Sequence, residues 1–228
     1  MKSYASNTRT VRNLETFHRH GWRILVSPQN PNPPAGLPFA IDNGAWPTFT
    51  QKLPFDSDGF SNLVETHGAA ADFVVVPDIV AGGLRSLEFS LSWLDRLQGI
   101  RLLLLPVQDG MTAGDVGPVL RRYPGLGIFL GGSTEWKLQT MYGWGMVAHA
   151  IGCYYHVGRV NSRRRIRLAH EAGADSIDGT SGTRYSVNVP KLDDASRQPS
   201  LLRPSAVGNA LSLGHASGDL RPGFDREV

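Results

Sequence analysis

The chain has 228 residues, 41% of them hydrophobic, enough to bury one sizeable α/β core. No apolar run nears the roughly 20 residues that cross a bilayer, and the opening MKSYASNTRTVRN has no apolar signal core, so a cytoplasmic protein without membrane contact is expected. A single cysteine, Cys153, excludes an intrachain disulfide and a cysteine-based zinc site, and a net charge of +3 permits a nucleic-acid partner without demanding one. The histidines do not cluster at ligand spacing; His18 and His20 form a lone i, i+2 pair, so no metal is expected.

From residue 23 to about 188, short apolar runs alternate with longer amphipathic stretches. The runs are 23–28 (RILVSP), 39–43 (FAIDN), 73–78 (FVVVPD), 101–108 (RLLLLPVQ), 127–131 (GIFLG), 154–158 (YYHVG) and 176–178 (SID). Most are continuously apolar, as strands of a parallel sheet covered on both faces are. Helices are expected over 57–67, 84–97, 113–123, 134–150 and 162–172, with Thr134 and Asn161 as N-caps and Gly99 and Gly173 as stops. Residues 28–38 (PQNPNPPAGLP) form a loop between the first two runs.

Seven strands alternating with helices predict a parallel α/β fold. A (β/α)8 barrel of TIM type, small or with an end element hard to place, is favoured over an open sheet. The ground is where the polar residues fall: Asp42, Asp78, Gln108, Gly131–Gly132, Gly158 and Asp178 each close a different strand. In a barrel those ends converge on one mouth; in an open sheet they spread along an edge. The barrel is expected over 1–192. Residues 193–228, rich in Ser, Arg, Gly, Asp and Pro, have the composition of a partly disordered tail.

Each strand end has a structural and a chemical meaning. Asp42-Asn43-Gly44 is turn chemistry or a general base. Asp78, after VVVP, is a helix cap or a pocket acid. Gln108 carries donors and an acceptor suited to a nucleobase edge. Gly131-Gly132-Ser133-Thr134, before a helix, is a plain turn or a cradle for an anion or carbonyl. Asp178, followed by Gly179-Thr180-Ser181-Gly182-Thr183-Arg184, is accessible enough to attack a carbon. Arg163, Arg164, Arg165 and Arg167 form a solvated helix face or a phosphate contact at the rim.

Taken in order, these segments resemble the tRNA-guanine transglycosylase superfamily. Asp42-Asn43-Gly44-Ala45-Trp46 looks like the family's Asp-Ser-Gly-Gly-Phe, and Val107-Gln108-Asp109-Gly110 like its Val-Gln-Gly-Gly. Gly131-Gly132-Ser133-Thr134 looks like its Gly-Gly-Leu-Ala, and Tyr155 to Val160 like its His-Tyr-Leu-Met-Gly-Val-Gly. Gly173-Ala174-Asp175-Ser176-Ile177-Asp178, continuing to Thr183-Arg184, looks like the segment that ends in the family's nucleophile. The likeness covers about residues 39–188. The missing Cys/His zinc site and the short chain are more similar to compact phage relatives that place 7-deazaguanines into DNA than to the tRNA enzymes.

The resemblance implies a base exchange through a covalent aspartyl–sugar intermediate, with Asp178 as nucleophile and Asp42 as base. Asp78, Gln108, Gly131, Gly132 and Gly158 would bind the base, and Arg163, Arg164, Arg165, Arg167 and Arg184 the nucleic acid. DNA is then the expected partner ahead of tRNA, no cofactor is needed, and a homodimer is left open. Two other classes remain: a phosphate-binding barrel enzyme using Gly131–Thr134, and a non-catalytic nucleic-acid module. The strand-end acids argue against the second, because they repel a phosphate chain unless they do chemistry.

Overall fold

The computed structural model describes residues 1–197. Eight strands close into one all-parallel barrel in simple sequence order, β1 (Lys2–Ser6), β2 (Arg23–Val26), β3 (Phe39–Ile41), β4 (Val74–Val75), β5 (Leu103–Val107), β6 (Leu126–Leu130), β7 (Tyr155–Val157) and β8 (Ser176–Gly179). The chain is therefore a (β/α)8 barrel of TIM type. Five of these strands lie within the apolar runs, and two more, β6 and β8, overlap theirs to within one residue. The eighth element is the first strand, which shuts the barrel by pairing on one side with β2 and on the other with β8, Tyr4 opposite Asp178.

The helices between them are α1 (Val11–His20), α2 (Ala45–Thr50), α3 (Ser57–His67), α4 (Leu84–Trp93), α5 (Ala113–Arg122), α6 (Thr134–Ile151), α7 (Arg163–Glu171), α8 (Ser181–Arg184) and α9 (Val189–Arg197). Two expected caps move by one residue. Ser133, not Thr134, caps α6 by accepting the Trp136 N–H, and Ser162, not Asn161, caps α7 by accepting the Arg165 N–H. Asn161 instead accepts the Ser181 N–H at 3.1 Å and so ties the β7–α7 loop to the β8–α8 loop. Helix α9 runs across the boundary expected at residue 192; its Asp193 is buried and meets His20 of α1 and Arg197. The rest of the expected tail lies outside the described residues.

Two apolar shells follow from strand alternation. Tyr4, Ala40, Phe73, Val75 and Leu104 fill the barrel interior, joined by Leu25, Leu102, Phe129 and Tyr154. A larger cluster sits between strands and helices. At the N-terminal ends of the strands, Arg23 bonds both Asp72 carboxylate oxygens at 2.6 Å, and the Tyr4 hydroxyl donates to Asp72 at 3.0 Å. The Tyr4 hydroxyl of the interior aromatic plug is thus satisfied at the base.

Helix α6 tests how closely this outer layer is packed. A Cβ at Gly145 would lie 2.0 Å from the carbonyl oxygen of Ala172, whereas one at Gly143 meets nothing within 4 Å. Alanine in place of a helical glycine gains about 1 kcal/mol of propensity, but overpacking against backbone costs about 1–3 kcal/mol. Gly143→Ala should therefore raise the denaturant midpoint and Gly145→Ala lower it. Equal shifts from the two would disprove the close approach of α6 to the end of α7.

Candidate active site

The C-terminal ends of the strands bring three carboxylates to one mouth. Asp42 follows β3, Asp78 follows β4, and Asp178 lies within β8. Their charges act on one another: the carboxylates of Asp178 and Asp78 both raise the proton affinity of Asp42. The expected convergence of these strand-end acids is what the fold delivers.

Asp178 is 8% exposed and held from two sides. Its Oδ2 lies 2.9 Å from Nε2 of the fully buried His156, whose Nδ1 lies 2.7 Å from the Ser176 hydroxyl. Its Oδ1 accepts the backbone N–H of Arg159 at 2.9 Å. Alternation along β7 and β8 explains the group, because His156 and Gly158 on one strand, and Ser176 and Asp178 on the next, share the inward face. The imidazole stacks on Phe129, with centroids 4.9 Å apart and planes at 17°. Burial alone would push Asp178 up, but the His156 bond, the Arg159 N–H and the Lys137 charge hold its carboxyl below the usual range. These contacts favour the ionised form of Asp178 and fix the orientation of its carboxylate.

Asp42 is the opposite case. Burial, then the charges of Asp178 and Asp78, push it up to about 7, against partial relief from the Asn43 and Gly44 backbone N–H groups. A carboxyl poised near neutrality can give or take a proton. Asp78 is pushed up by burial to about 6, restrained by a bond from Asn43, the charge of Arg159 and a bond from Gln108.

The neighbours of Asp78 change what two residues do. Asn43 donates its amide to the Val76 carbonyl and to Asp78 Oδ1, both at 2.8 Å, while its Oδ1 accepts the Ala45 N–H. Gln108 is 2% exposed, and its Nε2 faces Asp78 Oδ2 at 3.2 Å, the Ile79 carbonyl at 3.0 Å and the Ser86 hydroxyl at 2.7 Å. Its Oε1 accepts the Gly82 N–H. Expected to read a base edge, the Gln108 amide is instead spent on aiming Asp78 and tying down the β4–α4 loop. Asn43→Ala should raise the proton affinity of Asp78 further, followed as its carboxyl resonance in a carbon-detected NMR titration. An unchanged midpoint would show that Asn43 does not hold the carboxylate.

The glycine loop is also partly committed. The Gly131 N–H bonds Val107 O at 2.8 Å, in continuation of the β5–β6 ladder. Asp109 takes the Ser133 N–H at 2.7 Å and its hydroxyl at 2.6 Å, occupying the start of α6 with the protein's own carboxylate. Burial works the other way, yet those bonds keep Asp109 below its ordinary value. The Gly131–Thr134 cradle is thus filled from within by Asp109. Gly158, expected to bind the base, stands where only a glycine clears its neighbours: a Cβ there would lie 2.7 Å from Phe129 and 3.4 Å from Asp178 Oδ2.

Residues that the sequence did not single out complete the mouth. Arg159 has φ +57, a conformation side chains rarely adopt. Its backbone serves Asp178, its guanidinium donates to the Gly132 carbonyl, and its charge lies 4.2 Å from the centre of the Trp46 ring, which follows β3. Lys137 of α6 is 4% exposed and donates to the Gly158 carbonyl. Of the expected nucleic-acid contacts, Arg163, Arg164 and Arg165 form the first turn of α7, on the mouth side of the barrel. Arg163 and Arg164 are exposed and Arg165 partly buried. Arg167 lies further along α7, and Arg184 ends α8, both exposed.

The zinc of the tRNA enzymes does not fit. Cys153 precedes β7 and so comes before Asp178, whereas the zinc ligands of the tRNA enzymes follow the corresponding aspartate. Among the described residues no group of three or more His, Cys, Asp or Glu side chains is placed to hold a metal ion. No helix among the described residues is long and apolar enough to cross a membrane.

Fold and site together define a (β/α)8 barrel with a carboxylate-lined mouth. A scan against protein-family models finds no match to this chain, and a search of curated proteins finds none either.

Proposed function

We propose that the protein is a base-exchanging transglycosylase, replacing a guanine in DNA with a 7-deazaguanine derivative through a covalent aspartyl–sugar intermediate. One arrangement carries this: at one barrel mouth Asp178 is held by His156 Nε2 and the Arg159 N–H, each at 2.9 Å, which favour its ionised form, while burial and the charges of Asp178 and Asp78 push Asp42 up to about 7. Such a split marks one group as nucleophile and the other as proton carrier.

In the first half-reaction an Asp178 oxygen bonds C1′ of the target nucleoside as the C1′–N9 bond breaks, and guanine leaves with the bonding pair and takes up a proton from water, to which Asp42 returns one after the second half. In the second, Asp42 removes a proton from the incoming base. The base nitrogen then bonds C1′, and the Asp178 carboxylate is released. Ionised Asp78, aimed by Asn43 and Gln108, accepts from the donor edge of a guanine-like base. Because the reader is held by buried amides, a base lacking that edge leaves polar groups unpaired. The target nucleotide leaves the stack at a cost of about a few kcal/mol. Arg163, Arg164, Arg165, Arg167 and Arg184 face the flanking phosphates in this reading, so binding weakens as salt rises.

The test is incorporation of a labelled 7-deazaguanine base by the full chain, with double-stranded DNA and with tRNA in parallel. Label in DNA is the expected result. Label in tRNA alone would move the substrate to tRNA, and label in neither would overturn the proposal. The small-molecule phosphate reading of the Gly131–Thr134 loop is disfavoured, because Asp109 already fills that place.

A further inference from the structure

We infer that a small pocket on the rim, between the first turns of α6 and α7, is a subsite for a phosphate group of the substrate. Its polar lining is Thr134, Lys137, Arg159 and Arg165, with Leu138 and Met141 among its apolar walls. This deepens the transglycosylase proposal, since it assumes that a nucleoside sugar reaches Asp178.

The charge arrangement is what calls for an anion. Lys137 is almost completely buried, yet an ammonium with three donors makes one hydrogen bond among the described residues, to the Gly158 carbonyl. Among the described residues none of Lys137, Arg159 and Arg165 lies within 4.0 Å of a carboxylate oxygen. Burying a cation is costly unless it is paired, and here two more cations line the same pocket. The strain registers on Lys137, whose proton affinity is pulled down to about 8 by burial, then by Arg159 and Arg165, against opposing help from Asp178 and Asp109. The several oxygens of a phosphate seated at the pocket mouth would share among them a spare Lys137 donor, the Arg165 guanidinium and the N–H groups of Arg159 not given to the Gly132 carbonyl, with the Thr134 hydroxyl beside them.

Position ties the pocket to the chemistry. Arg159 and Gly158 line it, and the same two residues border Asp178. A sugar held at Asp178 carries its own phosphate within reach of this rim. The group is either the 5′-phosphate of a free nucleotide or a phosphodiester of a strand. Asp109, at the α6 cap, fills the neighbouring place, which leaves this pocket as the open anion position at the start of that helix.

The experiment is thermal unfolding of the full chain with rising inorganic phosphate, against chloride at matched ionic strength. Saturable stabilisation is expected, with the half-saturating concentration raised at least tenfold in Lys137→Met and in Arg165→Gln, and unchanged in Arg121→Gln on α5. Arg165 is only partly buried, so its variant carries the test if Lys137→Met does not fold. No saturable effect, or an equal effect in all variants, overturns the subsite. Competition by deoxyguanosine monophosphate assigns the pocket to a free nucleotide, and competition by a short duplex alone assigns it to a phosphodiester. Phosphate binding without base incorporation would sink the transglycosylase proposal and leave the pocket standing; incorporation with unaltered phosphate binding in the variants would sink the pocket alone.

Discussion

Asp178→Asn should abolish the covalent adduct between protein and DNA and lower base exchange by about 10⁴-fold or more, the scale on which a lost nucleophile is felt. Asparagine keeps the shape and can still accept the Arg159 N–H, so the loss isolates the charge and nucleophilicity of the carboxylate. The adduct is read as a shifted band on a denaturing gel, and exchange as labelled guanine entering DNA. His156→Asn offers a contrast. It removes the ring from Asp178 Oδ2 but leaves the nucleophile, so adduct should still form, more slowly, with the acid limb of the pH profile moved upward. An Asp178→Asn protein that still forms the adduct would place the nucleophile elsewhere.

Asp42→Asn should act in opposite directions on rate and stability. As a base Asp42 must be ionised, so turnover in the wild type should fall as pH drops through about 7, and the variant should lose about 10²–10⁴-fold and that pH dependence with it. The sign for stability follows from linkage. The folded value, about 7, lies above the unfolded value near 4, so between those limits the folded state binds more protons. Stability then falls as pH rises through the window, and the penalty is complete above 7. Asparagine mimics the protonated form. The variant should be more stable than wild type at pH 8, on the order of 1–3 kcal/mol, with the gap closing near pH 4. Urea midpoints at the two pH values decide it, and a gap independent of pH would mean that Asp42 is not perturbed.

Both effects concern residues that could be found from sequence, and the reason is physical. Asp42, Asp78 and Asp178 are acids that interrupt or end apolar strands, where burial makes a charge conspicuous. Strand β1 escaped because KSYAS has no apolar run; only Tyr4 and Ala5 point to a core, and its pairing partner β8 is remote in the chain. His156 lay in plain view inside YYHVG, two residues before the strand-end glycine, and the inward period of two was the signal that could have picked it out. Lys137 carried no such mark. One lysine among TEWKLQTM reads as a solvated helix face, and only the packing of α6 on the β7 end buries it. Gln108 was found but its task was not. Which partner an amide meets depends on how the β4–α4 loop folds back, through Ile79, Gly82 and Ser86, and no spacing rule encodes that.

The closure of the barrel through β1 has a consequence in time. Tyr4 lies opposite Asp178, so the strand made first on the ribosome completes its hydrogen bonding only against the strand made last. At ordinary synthesis rates the two are separated by roughly 10–40 s. Through that interval the N-terminal segment has one edge unpaired, and the seam that will lie beside Asp178 is open. The carboxylate of Asp178 therefore gains its neighbours on β1 only after β8 has been made and paired, late in the building of the barrel.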